Sequence, residues 1–511
     1  MKKILFSFLP SGLFAVAAPV IFYIVNRDNR ILNGWTEISG SILITLTSGI
    51  IFYTLVYLLT RKAYPAGAIT AILILGTFYL WQIALLLALV VLICLGALRL
   101  LRQEISFFKL NLLFCALSLA LVGLYGGQLG IFLARQPSIS PTNLVEPIIA
   151  SQFSLDKNIQ KPDIYYIILD GYGRADMLQS VYGYDNSDFI RALQGLGFII
   201  ADQSRANYPQ TVLSLGSSLN MQYLDRLAAQ MGSSNAWWLS KDALYHSQVR
   251  QFLEAQDYRT VFIASGFDYT DIRDGDEFIK PFPLMLNNFD AGFLRFTNLG
   301  ALGSMGGLIP YPSYSTLRLI IQADFEALPK AASEAGPKFV FAHITAPHPP
   351  FVFDENGQPV NPDTPFTMVD KMRDIMDEPT YMASYIAELE YINSRTIEVL
   401  RTILAEASTP PIILLQGDHG PGLYLKGTPE DSCLYERYSI LNAYYLPGRP
   451  ASAISETITP VNSFRLIFNE YFSTHIPLLP DQAYFANYQH FYDFIDVSDQ
   501  VEPGCKSKAV H

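Results

Sequence analysis

Charge is scarce in this chain. Lys, Arg, Asp and Glu together make up 16% of its 511 residues, against 50% apolar residues, a balance too apolar for a wholly soluble protein. The length exceeds what one compact core usually supports, so at least two structural units are expected. Basic residues are short where nucleic acid would need them. Residues 1–150 hold 10 Lys/Arg against 4 Asp/Glu, a net +6, and the rest hold 25 against 42, a net −17. An acidic second portion is a poor electrostatic match for nucleic acid or an anionic lipid surface. Cysteine is sparse too, with four in all. Cys94 and Cys115 sit in apolar stretches. Cys433 and Cys505 lie in the acidic portion, where a disulfide and two free thiols are both open readings. No internal repeat or low-complexity tract is present.

What the first 150 residues do have is long apolar runs. Residues 4–25, 38–60 and about 110–132 are each long and apolar enough to span a bilayer. The uncharged run 63–98 is too long for one upright span and suits two short ones divided near Trp81-Gln82. Five spans place the clusters Lys2-Lys3, Arg61-Lys62 and Arg99-Arg102-Lys109 on the cytoplasmic side and everything after residue 135 outside. Arg27 and Arg30 then fall outside. The first run is too long for a cleaved leader and is followed by no small-residue cleavage site, so it reads as an uncleaved span. This divides the chain into a transmembrane domain of about five helices (1–135), a linker (136–160) and an extracytoplasmic domain (161–511), multi-pass in a bacterial inner or plasma membrane.

From residue 161 short apolar runs alternate with helical patterns. The runs are Ile164–Leu169, Gly197–Ala201, Arg259–Ala264, Phe339–Ile344 and Ile412–Leu415. Continuous apolar runs of this length suit strands buried on both faces of a parallel sheet, with crossover helices near 185–196, 241–256, 315–333 and 379–407. The expected fold is a three-layer α/β/α domain. Ligands of such sheets bind at the carboxyl ends of the strands, and there the sequence places Asp170-Gly171, Gln416-Gly417-Asp418-His419-Gly420, and His343 followed by Pro347-His348-Pro349-Pro350. The tail, 481–511, is aromatic-rich to Phe494, which packs it on the domain, and then polar.

Asp418-His419 is the most informative pair. A carboxylate and an imidazole flanked by glycines just past a buried strand can turn toward one cation, with Asp170 as a third ligand, a donor set suited to Zn²⁺ or Mn²⁺. Alone, Asp-His-Gly is also an ordinary turn. In NYPQTVLSLGSSLNM (207–221), Pro209 precedes a helix start and Thr211 falls at the helix N-terminus, where free N–H groups stabilise anions. A hydroxyl there that also ligates a metal can attack phosphorus or sulfur. An N-cap Thr is the plainer reading, and Ser214, one turn on, is a competitor.

The order strand-Asp, helix-start Thr, HxxxxH loop, then GDHG resembles the sulfatase-like branch of the alkaline phosphatase superfamily. By layout the chain is similar to membrane-anchored lipoteichoic acid synthases and phosphoethanolamine transferases. The resemblance covers about 160–450 and the membrane layout. It implies that Asp170, Thr211, Asp418 and His419 bind metal, that Thr211 is the nucleophile forming a covalent phospho-enzyme, and that His348 contacts the substrate or leaving group. His343 fits either this loop or a packed histidine. Arg437 and the Asn442–Gly448 stretch resemble the strand after the metal pair, with no chemistry assigned.

The sequence also departs from the family. It lacks the CxPxR-type motif of formylglycine sulfatases. Asp170 replaces the Glu usual in the transferases and is followed by Gly171 instead of a second acid. No DxxxH spacing at the strand ends supplies a second metal site, so one divalent metal, Mn²⁺ or Zn²⁺, is expected. The resulting expectation is a membrane-embedded phosphotransferase or phosphodiesterase acting on a lipid or envelope glycan, with no nucleic acid partner. A sulfuric ester hydrolase and a non-catalytic envelope-binding module are the alternatives.

Overall fold

The computed structural model describes residues 2–26, 38–79, 88, 91–92, 106–135, 161–231, 238–281, 288–298, 313–333, 336–361, 363–364, 366, 368 and 372–505. The chain forms two compact units: residues 1–138 with 284–311, and residues 139–283 with 312–511.

The first unit is helical. Its elements are α1 (Lys2–Asn26), α2 (Ile38–Thr60), α3 (Ala63–Phe78) and α4 (Phe107–Arg135). Among the described residues, α1, α2 and the span Phe107–Ala134 are long and apolar enough to cross a membrane, and α3 is a shorter apolar helix. The second half of the run 63–98, with the Trp81-Gln82 turn, Cys94, Arg99 and Arg102, lies outside the described residues, as does the linker after Arg135. Ring pairs fix the packing. Phe108 of α4 meets Phe6 and Tyr64 at one end of the bundle, and Phe132 meets Tyr23 at the other. Lys2, Lys3, Arg61, Lys62 and Lys109 all sit on helix ends of the Phe6–Phe108 side.

A short helix from far along the sequence, Asn288–Arg295, joins this unit. Its Phe289 and Phe293 pack on Phe22, and Phe293 also stacks on Phe78. Its Asp290 accepts a hydrogen bond from Ser41 in the first turn of α2, where a carboxylate complements the helix dipole. These contacts lie at the bundle end opposite the four lysines and one arginine.

The second unit is built on one seven-stranded sheet, in the order β2-β7-β6-β1-β5-β3-β4. The strands are β1 (Ile164–Leu169), β2 (Ile199–Ile200), β3 (Arg259–Ile263), β4 (Glu277–Ile279), β5 (Lys338–Ile344), β6 (Ile412–Gln416) and β7 (Asn442–Tyr445). A separate hairpin pairs Tyr484–Phe485 with Ile495–Asp496. β1 lies at the centre, parallel to β5 through Ile164↔Phe339 and to β6 through Ile164↔Ile412. Its side chains alternate between two cores. Tyr165, Ile167 and Leu169 enter one, and Ile164, Tyr166 and Ile168 the other. With both faces buried there is no polar phase, so the strand reads as a continuous apolar run.

Helices cover each face, giving three layers. On one side lie α5 (Ser187–Gly195), α9 (Tyr314–Ala332) and α10 (Glu378–Glu406). On the other lie α6 (Thr211–Asn220), α8 (Gln248–Ala255) and α12 (Pro460–Phe472). Two smaller helices complete the set used below, α7 (Trp238–Tyr245) and α11 (Leu434–Tyr438). Local chemistry sets the helix starts. Asp377 accepts the Thr380 N–H ahead of α10 and Ser313 the Thr316 N–H ahead of α9.

The sheet corrects two expectations. It is mixed, because β7 runs antiparallel to β6 and β2. The segment between β6 and β7 carries the Asp418-His419 loop and α11, and the chain then re-enters the sheet antiparallel to β6. The expected helix 241–256 is two helices, α7 and α8, broken at His246-Ser247, where Ser247 is extended (ψ 155°). The tail packs as expected, with Ala483, Phe485, Phe491 and Tyr492 buried. Cys433 and Cys505 form a disulfide, Cα–Cα 5.0 Å.

Candidate active site

Three strand ends and one helix start converge. Asp170 follows β1 directly, and its N–H donates to Ile344 O of β5 at 3.0 Å, extending the ladder by one residue. Gly171 then turns in the left-handed region (φ +71°), a conformation that favours glycine. The Gly171 N–H donates to Asp418 Oδ1 at 3.1 Å, which ties the β1 and β6 loops together.

Past β6, Asp418 and His419 turn inward and are almost wholly buried, as is Asp170. His419 Nε2 lies 3.3 Å from Asp418 Oδ2 and 3.6 Å from Asp170 Oδ1. Its Nδ1–H donates to Gly420 O at 3.0 Å. A carbonyl only accepts, so in the neutral ring the Nε2 lone pair faces the two carboxylates. Gly420 is pinned between segments: a Cβ there would meet Glu436 O at 2.0 Å.

Thr211 is the first residue of α6, a helix whose ten residues are all buried. Its Oγ1 lies 3.2 Å from His419 Nε2. Ser214, one turn on, donates to Asp418 O at 2.7 Å, so its hydroxyl is engaged with the loop backbone. His348 is the half-exposed member, its ring 6.0 Å from that of His419. Its Nδ1–H donates to Pro349 O at 2.6 Å.

His343 is buried, with Nδ1 2.8 Å from Thr270 Oγ1 and Nε2 3.3 Å from Asp170 Oδ2. Burial alone would push the Asp170 pKa up, but the imidazoles of His348, His343 and His419 together outweigh it and hold the carboxyl well below the usual carboxylate range.

These residues fit a divalent cation. Ligand atoms of Asp170, Asp418 and His419 lie within 4.8 Å of one another, the one such group among the described residues. Asp170 Oδ1 and Asp418 Oδ2 are buried without a hydrogen-bond partner, a costly state that a cation relieves. Two carboxylates and an imidazole suit Zn²⁺ or Mn²⁺.

The structure therefore brings together all five residues singled out from sequence, Asp170, Thr211, His348, Asp418 and His419. It adds supports to which the sequence assigned no chemistry. Arg437 of α11 is buried and donates to Pro209 O and Gly420 O. Tyr385 of α10 donates to Gly171 O and accepts from the Gly173 N–H. Glu388, one turn later, accepts the Val352 and Phe353 N–H groups of the His348 loop.

A family model described as Sulfatase matches residues 162–462, a stretch holding every one of these groups. The chain belongs to the sulfatase family. Among curated proteins, none matches this member in sequence. Solved structures similar to this sulfatase-family chain include the C-terminal periplasmic domain of EptC from Escherichia coli in complex with Zn, at 12% identity over 70% of this chain and 98% of that one, TM-score 0.45. The integral membrane lipooligosaccharide phosphoethanolamine transferase EptA from Neisseria meningitidis is 11% identical over 91% and 95%, TM-score 0.41. BT1596, a 2-O GAG sulfatase, is 14% identical over 62% and 72%, TM-score 0.38.

Proposed function

We propose that this sulfatase-family protein is a membrane-anchored, metal-dependent phosphotransferase or phosphodiesterase with Thr211 as its nucleophile. The observation that carries the reading is the placement of Thr211 Oγ1 at a helix N-terminus, 3.2 Å from His419 Nε2, beside the partnerless Asp170 and Asp418 oxygens. Asp170, Asp418 and His419, with Thr211 at their edge, would hold one Zn²⁺ or Mn²⁺. When bound, such an ion lowers the pKa of a neighbouring hydroxyl and offsets charge on a phosphoryl group.

Thr211 Oγ1 gives up its proton to solvent water as it attacks phosphorus of a phosphodiester. A bond forms between Oγ1 and phosphorus, and the bond from phosphorus to the leaving alcohol oxygen breaks. His348, half-exposed at the mouth with its Nδ1–H held by Pro349 O, would protonate that oxygen from Nε2 as an imidazolium. The free N–H groups at the start of α6 stabilise the anionic group bound there. Transfer to an envelope glycan or to water then frees Thr211. The membrane helices motivate a lipid donor of phosphoglycerol or phosphoethanolamine type, with a diacylglycerol-like alcohol leaving.

The same helices support an extracytoplasmic site. Lys2, Lys3, Arg61, Lys62 and Lys109 gather at one end of the bundle, which the positive-inside rule assigns to the cytoplasm. α4 ends, and the helix Asn288–Arg295 packs, at the other.

Mass spectrometry of the full-length protein after incubation with a bacterial lipid extract and Zn²⁺ or Mn²⁺ tests the reaction. The expected result is a covalent adduct on Thr211 with the mass of phosphoglycerol or phosphoethanolamine, absent in Thr211→Ala. Family membership favours sulfuric ester hydrolysis as a second reading, and a sulfate adduct would establish that instead. Full turnover in Thr211→Ala would sink both.

A further inference from the structure

We propose that Arg437 is a positioning residue of this site, a guanidinium that bridges the segment carrying the nucleophile and the segment carrying the metal-ligand pair. The assignment rests on the reaction proposed above and deepens it. Thr211 and His419 lie on different segments with no covalent reason to stay in register, one at the start of α6 and the other past β6. Arg437 reaches both. Its Nε–H donates to Pro209 O at 2.8 Å, two residues before Thr211. Its Nη1 donates to Gly420 O at 3.1 Å, one residue after His419.

Gly420 O also accepts the His419 Nδ1–H at 3.0 Å. One carbonyl thus takes the guanidinium on one side and fixes the tautomer of the ligand imidazole on the other. The Gly420 N–H closes the arrangement by donating to Arg437 O at 2.7 Å. Arg437 is 1% exposed, and it sits on α11, which contributes no residue to the chemistry. A buried cation is costly, and its retention here is explained by the two loops it joins. The fork of the guanidinium matters, because it is planar and rigid and offers two donors at a fixed separation. A lysine ammonium is a point donor on a flexible stem and cannot hold both carbonyls at that separation. Outer-shell partners of metal ligands typically change metal affinity or activity by about 10–100-fold.

The test uses the full-length protein in detergent and three readouts: melting temperature, Co²⁺ titration followed by visible absorption, and the rate of Thr211 adduct formation with lipid extract. Arg437→Lys is expected to keep the wild-type melting temperature within a few degrees, bind Co²⁺ about 10-fold more weakly with an altered spectrum, and form the adduct about 100-fold more slowly. In Arg437→Ala, millimolar guanidinium should restore part of the adduct rate, and sodium at equal ionic strength should not. If Arg437→Ala does not fold, Arg437→Lys decides alone. Wild-type Co²⁺ affinity and adduct rate in Arg437→Lys overturn the assignment while leaving the reaction intact. A wild-type protein that takes up no Co²⁺ overturns the metal-centred reaction and this assignment with it.

Discussion

Thr211 and Ser214 carry the same hydroxyl chemistry one turn apart, and only their partners distinguish them. Thr211 Oγ1 faces His419 Nε2, whereas Ser214 Oγ donates to the Asp418 carbonyl. A hydroxyl committed to a backbone carbonyl is a poor nucleophile but a useful tether. Ser214→Ala should therefore keep adduct formation within about 10-fold of wild type and lose about 1 kcal/mol of stability, measured by mass spectrometry and denaturant unfolding on the same sample. If Ser214→Ala abolishes the adduct and Thr211→Ala does not, the two roles are exchanged.

At the scale of elements, α10 holds two site loops three residues apart. Tyr385 hydroxyl binds Gly171 O and the Gly173 N–H beside Asp170, and Glu388 binds two N–H groups beyond His348. Glu388 is fully buried, and desolvation pushes its pKa up from 4.5 to about 8, against the lowering effect of the Val352 and Phe353 N–H groups and of His348. The folded state thus holds a proton at neutral pH that the unfolded chain has released. Its contribution to stability is complete below about pH 4.5 and is lost as pH rises toward 8, at up to about 1.4 kcal/mol per pH unit. Glu388→Gln keeps the accepting oxygen, cannot ionise, and places its amide at the partnerless Oε2 position. Thermal unfolding from pH 5 to pH 9 should show the variant gaining on wild type as pH rises. Parallel curves would mean that Glu388 is ionised throughout.

At the scale of the whole molecule, covalent closure supplements packing. The Cys433–Cys505 disulfide joins residues 72 apart, linking the end of the tail to the residue that caps α11, the helix carrying Arg437. Closing a loop of that length removes unfolded-state entropy worth about 4 kcal/mol. The Cys433→Ser, Cys505→Ser double variant should melt several degrees lower than wild type, and reductant should lower the wild type alone. The bond also agrees with an oxidising compartment.

The sequence by itself determined the parts that are local. Apolar length marked α1, α2 and α4, and continuous apolar runs marked β1, β3, β5 and β6, because a strand buried on both faces has no polar phase to hide. Since ligands gather at strand ends, Asp170, His348 and the Asp418-His419 pair were legible from their positions just past those runs, and Thr211 from the proline before a helix start. Tertiary structure alone decided what depends on partners distant in sequence. The antiparallel course of β7 is set by hydrogen bonding to β6, not by its own residues. The break between α7 and α8 lies at a serine that a periodic pattern passes over. The adoption of residues 288–295 by the helical unit is decided by Phe22, Ser41 and Phe78. Arg437, Tyr385 and Glu388 act on carbonyls and N–H groups, which carry no side-chain signature. No pattern around them announces a role that exists only once the segments meet.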